Sequence, residues 1–231
     1  VKDYYKKRFD VEIFTDEIVA VPGSQEGVAH LGLPLCNPGD VVLLPNPGYP
    51  VFEVGAYLGG AELYFYELRE ENDFLPKFDE IPEDIARRAK YIMVSYPYNP
   101  VCAVAPASFY EELIAYAKKY NIIVVHDNAY SDIIYDGVRG GSFLEFPGAK
   151  EVGIECFSLS KSFNLTGARV SFMIGNREII DAVKLLRSQY DFGIFEPIQR
   201  AAIAALEGPL EPVREQCARY QERRAALCGG L

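Results

Sequence analysis

Near-continuous apolar runs separated by helix-like segments constrain this chain more than any other feature. "DVVLLP" (40–45), "KYIMVSYP" (90–97), "NIIVVHD" (121–127), "VGIECFSLS" (152–160) and "ARVSFMIGN" (168–176) read as buried strands, and "AELYFYEL" (61–68) alternates like a strand. Between most of them lie "PVFEVGAYLGG", "PEDIARRA", "SFYEELIAYAKKY", "REIIDAVKLLRSQ" and "IQRAAIAALEG", which read as helices. A strand apolar on both sides needs cover on both sides, and crossover helices supply it. The pattern therefore predicts an α/β fold with three layers, α/β/α, around a mainly parallel sheet.

The chain has 231 residues, 49% of them apolar, enough for one sizeable core. Its 33 Asp and Glu outnumber 23 Lys and Arg, for a formal charge of −10. That charge repels nucleic acid and anionic membranes, so neither is expected as a partner. No apolar run approaches the ~18 residues of a membrane span, and no signal-peptide pattern opens the chain. The five Cys form no CxxC pair, and with two His they offer no zinc set. Reduced thiols in a cytoplasmic protein are the expectation. The opening "VKDYYKKRF" reads as the last turns of a helix already under way. The closing "LEPVREQCARYQERRAALCGGL" reads as a long amphipathic helix with nothing after it to pack on. Both ends read as those of a fragment, or of a domain without its companion.

In parallel sheets, ligands bind beyond the carboxyl ends of the strands. That rule selects "YPYNP", "HDNAY" and "SLSK" as parts of one shared site. Lys161 follows an apolar run in what reads as a β–loop–β context. A lysine partly withdrawn from water becomes a usable nucleophile toward an aldehyde, although a plain surface lysine remains open. Asp127 closes "IIVVH", where a carboxylate is costly unless a cation meets it; a protonated ring nitrogen would serve. It fits equally well as the N-cap of a helix over "NAYSDII". Tyr130 and Asn99 are hydrogen-bonding types within reach of the same place. "GSQEGVAHL" (23–31) starts a helix whose free N–H groups favour an anion. Ser158, Ser160 and Arg169 add phosphate-binding groups. Tyr49, in "NPGYP", can stack on a flat ring or simply pack. Jointly these groups match what one cofactor, pyridoxal phosphate, requires.

These segments resemble the large, cofactor-binding domain of the fold-type I pyridoxal-phosphate aminotransferases of class I/II, most closely the LL-diaminopimelate aminotransferase group. The likeness is carried by "GSQEGVAHL", "CNPGDVVLLPNPGYPVFEVGAYLGG", "FLPKFDEIPEDIARRAKYIMVSYPYNP", "HDNAYSDIIYDG", "PGAKEVGIECFSLSKSFNLTGAR" and "FGIFEPIQRAAIAALEG". The resemblance implies a seven-stranded sheet. It implies that residues 1–208 form a cofactor domain lacking its N-terminal part, and that 209–231 start an interdomain helix toward an absent small domain. It implies catalytic roles for Lys161, Asp127 and Tyr130: Lys161 as the Schiff-base lysine that also moves the substrate proton, Asp127 on the ring nitrogen, and Tyr130 with Asn99 on the ring hydroxyl. Tyr49 would stack on the ring. Ser24, Gln25, Ser158, Ser160 and Arg169 would hold the phosphate. No metal is implied. The implied partners are an amino acid and a 2-oxo acid, with a homodimer when the protein is whole.

The chain departs from the family pattern in places. Val101 and Cys102 stand where N-P-T-G is usual, Ala168 where an aromatic is usual, and Ser171 where a glycine is usual. Three other readings stay open: another fold-type I enzyme such as a C–S β-lyase, a catalytically impaired interaction module, and a serine acylase of the S-x-x-K type. The last lacks the S-D-N and K-T-G motifs that accompany it.

Overall fold

The structure is a computed structural model that describes residues 1–231. Seven strands form one sheet: β1 (Ile18–Val21), β2 (Val41–Asn46), β3 (Glu62–Glu67), β4 (Ala89–Val94), β5 (Ile123–Asn128), β6 (Gly153–Ser158) and β7 (Ser171–Gly175). Their spatial order is β1-β7-β6-β5-β4-β2-β3. β2, β3, β4, β5 and β6 pair in parallel, and β7 runs antiparallel to both β6 and β1. The sheet is covered on both faces. Adjacent residues on a strand point to opposite sides, and Leu43 and Leu44, Ile92 and Met93, Val124 and Val125, and Met173 and Ile174 are all fully buried.

Six of the strands fall on the six runs read from the sequence. β1 has no counterpart there. It is a four-residue edge strand, only partly buried, so it carries neither the length nor the apolar continuity of the others. Two boundaries also move. The run 152–160 stops being a strand at Ser158, whose hydroxyl caps a one-turn helix over Leu159–Ser162 by accepting from Ser160 N at 3.2 Å. Lys161 therefore sits in a capped turn rather than a loop between strands. The run 168–176 becomes β7 only from Ser171, leaving Arg169 in the preceding segment with φ 53°.

The topology brings the strand ends together. β1 and β6 both oppose β7, so β1 runs in the direction of β6, and the ends of β1, β2, β4, β5 and β6 open on one edge. β7 runs the other way, so the residues that precede it reach that same edge. Helix Ser24–His30 follows β1 there and crosses helix Val51–Leu58 at backbone contact. A Cβ on Gly55 would overlap the carbonyl oxygen of Val28, and one on Gly59 would lie 2.6 Å from the Gly32 carbonyl oxygen.

Helix Glu211–Gly230 is amphipathic only at its start. Val213 is buried and Gln216, Cys217 and Tyr220 are half-buried, an i, i+3, i+4, i+7 stripe, while residues 221–231 are exposed. No helix is long and apolar enough to cross a membrane.

Candidate active site

A cavity of about 180 Å³ opens at this edge. Ser24, Gln25, Tyr49, Asn99, Asp127, Tyr130, Ser158, Ser160, Lys161 and Arg169 all border it. Every residue singled out from the sequence is thus brought to one place, from segments spread over nearly 150 positions. Ser95 and Thr166 also line the cavity and were missed. Ser95 Oγ donates to Asp127 O at 2.9 Å and so pins β4 to β5 beside the site. Thr166 Oγ1 donates to Ser160 O at 2.8 Å. Their only sequence signal was a hydroxyl near a strand end, which serine and threonine supply in many loops.

Asp127 is not a helix cap, because the residues after β5 form turns. Its Oδ1 is closed off from solvent and has no hydrogen-bond partner. Burial pushes the carboxyl up to about 6, against the pull of His126 and Lys161 and with a further push from Glu155. A buried acceptor with nothing to accept from is costly. A ring N–H carrying positive charge would satisfy it.

Tyr130 borders the same cavity. Burial raises its phenol first, the charge of Asp127 and the neighbouring Tyr49 raise it further, and Asn99 opposes them through a side-chain hydrogen bond. Tyr49 Oη donates to Gln25 Oε1 at 3.3 Å, tying the aromatic wall to the start of helix Ser24–His30. Asn99 comes from the turn five residues beyond the end of β4, rather than from the strand itself.

The part of the cavity bordered by Ser24, Ser158 and Arg169 has the character of an anion cradle. Gly23, at φ 97°, has no side chain, and a Cβ there would lie 2.7 Å from Arg169 Cζ. That missing atom lets the guanidinium approach the first turn of the helix, whose opening N–H groups have no intrahelical partner. Arg169 Nη1 donates to Thr166 O at 3.1 Å, and no carboxylate pairs with it. Ser158 Oγ, besides capping its turn, accepts from Ser171 Oγ at 3.2 Å. A phosphate beside Gly23 and Arg169 and an aromatic cation beside Asp127 fit the residues present, and Lys161 borders the same cavity from its capped turn.

The family model described as aminotransferase class I and II matches residues 1–231. The chain belongs to that family.

An LL-diaminopimelate aminotransferase of Moorella thermoacetica is 46% identical over 232 aligned residues, covering 100% of this chain and 60% of that protein. The protein of the same name from Halothermothrix orenii is 47% identical with the same coverage. Among solved structures, substrate-bound BacF of Bacillus subtilis superposes with a TM-score of 0.95 at 41% identity, covering 98% of this chain and 58% of that one. The chain thus spans about 60% of the length of the curated relatives it matches. The aminotransferase resemblance read from the sequence is borne out, and so is the three-layer α/β/α fold with its seven-stranded sheet.

Proposed function

We propose that this chain is the cofactor-binding part of a pyridoxal-phosphate-dependent aminotransferase that moves an amino group from LL-diaminopimelate to 2-oxoglutarate. The observation that carries the reading is the meeting of one amine, one carboxylate with an enclosed and unpartnered oxygen, and one arginine-lined helix start in a single cavity. The substrate rests on the names of the relatives, which are LL-diaminopimelate aminotransferases.

Pyridoxal phosphate, when bound, supplies an aldehyde for a lysine amine and a protonated ring that accepts electron density from a substrate carbon. Asp127 would hold the ring nitrogen and its proton. Asn99 and Tyr130 would hold the ring hydroxyl, and Tyr49 would lie against the ring. Ser24, Gln25, Ser158, Ser160 and Arg169 would hold the phosphate. Lys161 Nζ would be both the point of attachment and the base that takes and returns the proton at the substrate Cα. A groove of about 520 Å³ shares Asn99 and Tyr130 with the cavity and offers room for a substrate side chain.

The reading extends to the whole protein. It divides the chain into a cofactor domain over 1–208 and the start of an interdomain helix over 209–231. A homodimer is supported by an apolar surface at Phe192 and Phe195, which are 90% and 73% exposed. A cytoplasmic location is supported by five unpaired thiols.

The test is borohydride reduction of the full-length protein after addition of pyridoxal phosphate, followed by peptide mapping. The label is expected on Lys161 and absent from Lys161→Ala. A label on another lysine would sink the assignment. Amino-group transfer from a panel of amino acids to 2-oxoglutarate then tests the substrate, with LL-diaminopimelate expected to give the highest kcat/KM.

A further inference from the structure

Alternation along β5 turns Asp127 toward the cavity and its neighbour His126 to the opposite face of the sheet. There His126 stands in register with Glu155 of β6, one step before the pair Asp127–Cys156. Both side chains are fully buried. Glu155 gathers four donors. Tyr5 Oη at 2.7 Å and Ser142 Oγ at 2.8 Å reach Oε1. Phe143 N at 2.8 Å and His126 Nδ1 at 3.0 Å reach Oε2. A carboxylate only accepts, so Nδ1 carries its hydrogen, and Nε2 faces Tyr110 Oη at 3.4 Å. Burial would push the Glu155 carboxyl up, but these donors, His126 foremost, hold it below its ordinary range. The other titratable groups nearby are Tyr4, Tyr5, Tyr110, Glu145, Asp127 and Cys156.

The function proposed above assigns nothing to this cluster. Yet it sits where the two strands that carry the site are bonded. One residue on from His126 is Asp127. Three residues on from Glu155 is Ser158, the cap of the turn that holds Lys161.

We propose that Glu155 and His126 are positioning residues: their bond across β5 and β6 sets the alignment of the Asp127 carboxylate with the Lys161 amine. This rests on the reading of Lys161 and Asp127 given above. Tyr5 and the Ser142–Phe143 segment complete the clamp, so the helix Lys2–Phe9 helps to hold the site without touching it.

The test uses the full-length holoenzyme and two readouts beside turnover: the pH midpoint of the bound cofactor's visible absorbance, and the split between kcat and KM. A misaligned Asp127 holds the ring proton less firmly. The ring then withdraws less electron density from the lysine-linked nitrogen, which becomes more basic. In Glu155→Gln and His126→Phe the midpoint should therefore rise by about half a pH unit or more, with kcat per bound cofactor down about tenfold and KM within about threefold. His126→Asn places an amide N–H where Nδ1–H stands and should return the midpoint close to that of the parent. If Glu155→Gln does not fold, Ser142→Ala removes one donor and should shift the midpoint the same way by less. An unchanged midpoint and unchanged kcat per bound cofactor, with only a lower Tm, would overturn the proposal, as would failure of His126→Asn to restore the midpoint. Lys161→Ala and Asp127→Asn separate the two levels of inference. Should borohydride still fix the cofactor to the Lys161→Ala protein, or Asp127→Asn leave the midpoint in place, the assigned function fails rather than the positioning role.

Discussion

Asp127 holds its proton more tightly in the folded chain than in the unfolded one, because burial lifts its carboxyl from 3.8 to about 6. Its contribution to stability is therefore most favourable below pH 4 and declines as the pH rises through 6, by about 3 kcal/mol in all. Glu155, shifted the other way, loses its contribution as the pH falls, so the two act in opposite directions. Comparing Asp127→Asn with the parent removes the Glu155 contribution except for its direct repulsion of Asp127, which is a lesser cause of the shift than burial. In the cofactor-free chain the substitution should stabilise by about 2–3 kcal/mol near pH 8 and by only about 0.5 kcal/mol near pH 4, read by urea denaturation. An equal gain at both pH values would show that the carboxyl is not strained. Cys102 offers a second test at this scale. It holds φ 58° and donates its N–H to Tyr98 O at 2.6 Å, in the turn where the family pattern has glycine. A left-handed conformation costs an L residue about 1 kcal/mol. Cys102→Gly should therefore raise stability by about 0.5–1 kcal/mol and Cys102→Val should lower it, both visible as shifts in Tm.

Helix Ser24–His30 owes its position to contact with helix Val51–Leu58, where the backbones touch at Gly55. Gly55→Ala would drive a methyl into the Val28 carbonyl and force the helices apart. A loss of about 2–3 kcal/mol is expected, with weaker phosphate binding because the helix start moves away from Arg169. Gly167→Ala is the control. It lies beside the cavity with no atom within 4 Å of the added Cβ and should change stability by less than about 0.5 kcal/mol. Equal effects from the two would mean that the helix contact does not set the cradle. The segment around Lys161 shows the limit of local reading at this scale. Its apolar run passes into "SLSK" without a break in composition, and only the Ser158 cap turns strand into helix. A side-chain cap two residues long leaves no periodicity for the sequence to display.

Across the whole molecule, stability should follow the burial of the sheet. Val124 and Val125 lie at its centre and are fully buried, whereas the helix Glu211–Gly230 packs over Val213–Tyr220 and is exposed from 221 onward. Beyond that point the helix is held by the Arg224–Asp136 pair, at 2.7 and 2.8 Å and open to solvent, by Gln221 Oε1 accepting from Asp136 N at 3.5 Å, and by the Arg224 guanidinium 4.8 Å from the Tyr135 ring centre. Such exposed pairs are worth little. In hydrogen exchange of this chain, amides 225–230 should exchange first and those of Val124 and Val125 last. Comparable protection at both places would mean that the terminal helix is stabilised by something other than its visible contacts. The same segment reaches the site, since Gln216 Nε2 donates to Lys161 O at 3.2 Å.

The local code of this chain is legible in its sequence. Apolar runs too continuous to have a wet side dictate strands covered on both faces, and polar residues at their ends mark Lys161, Asp127, Asn99 and Arg169. What that code could not express is pairing between distant segments. The reversal of β7 decides that Arg169 reaches the edge where β1 delivers Ser24. The register of β5 on β6 decides that His126 meets Glu155, with Tyr5 arriving from 150 positions away. The turns after β5 decide that Asp127 caps no helix and is left with an unsatisfied oxygen. Periodicity and turn chemistry are properties of neighbours in sequence. Strand order, register and the desolvation of one carboxylate arise only when remote parts of the chain pack together, so they belong to the tertiary structure alone.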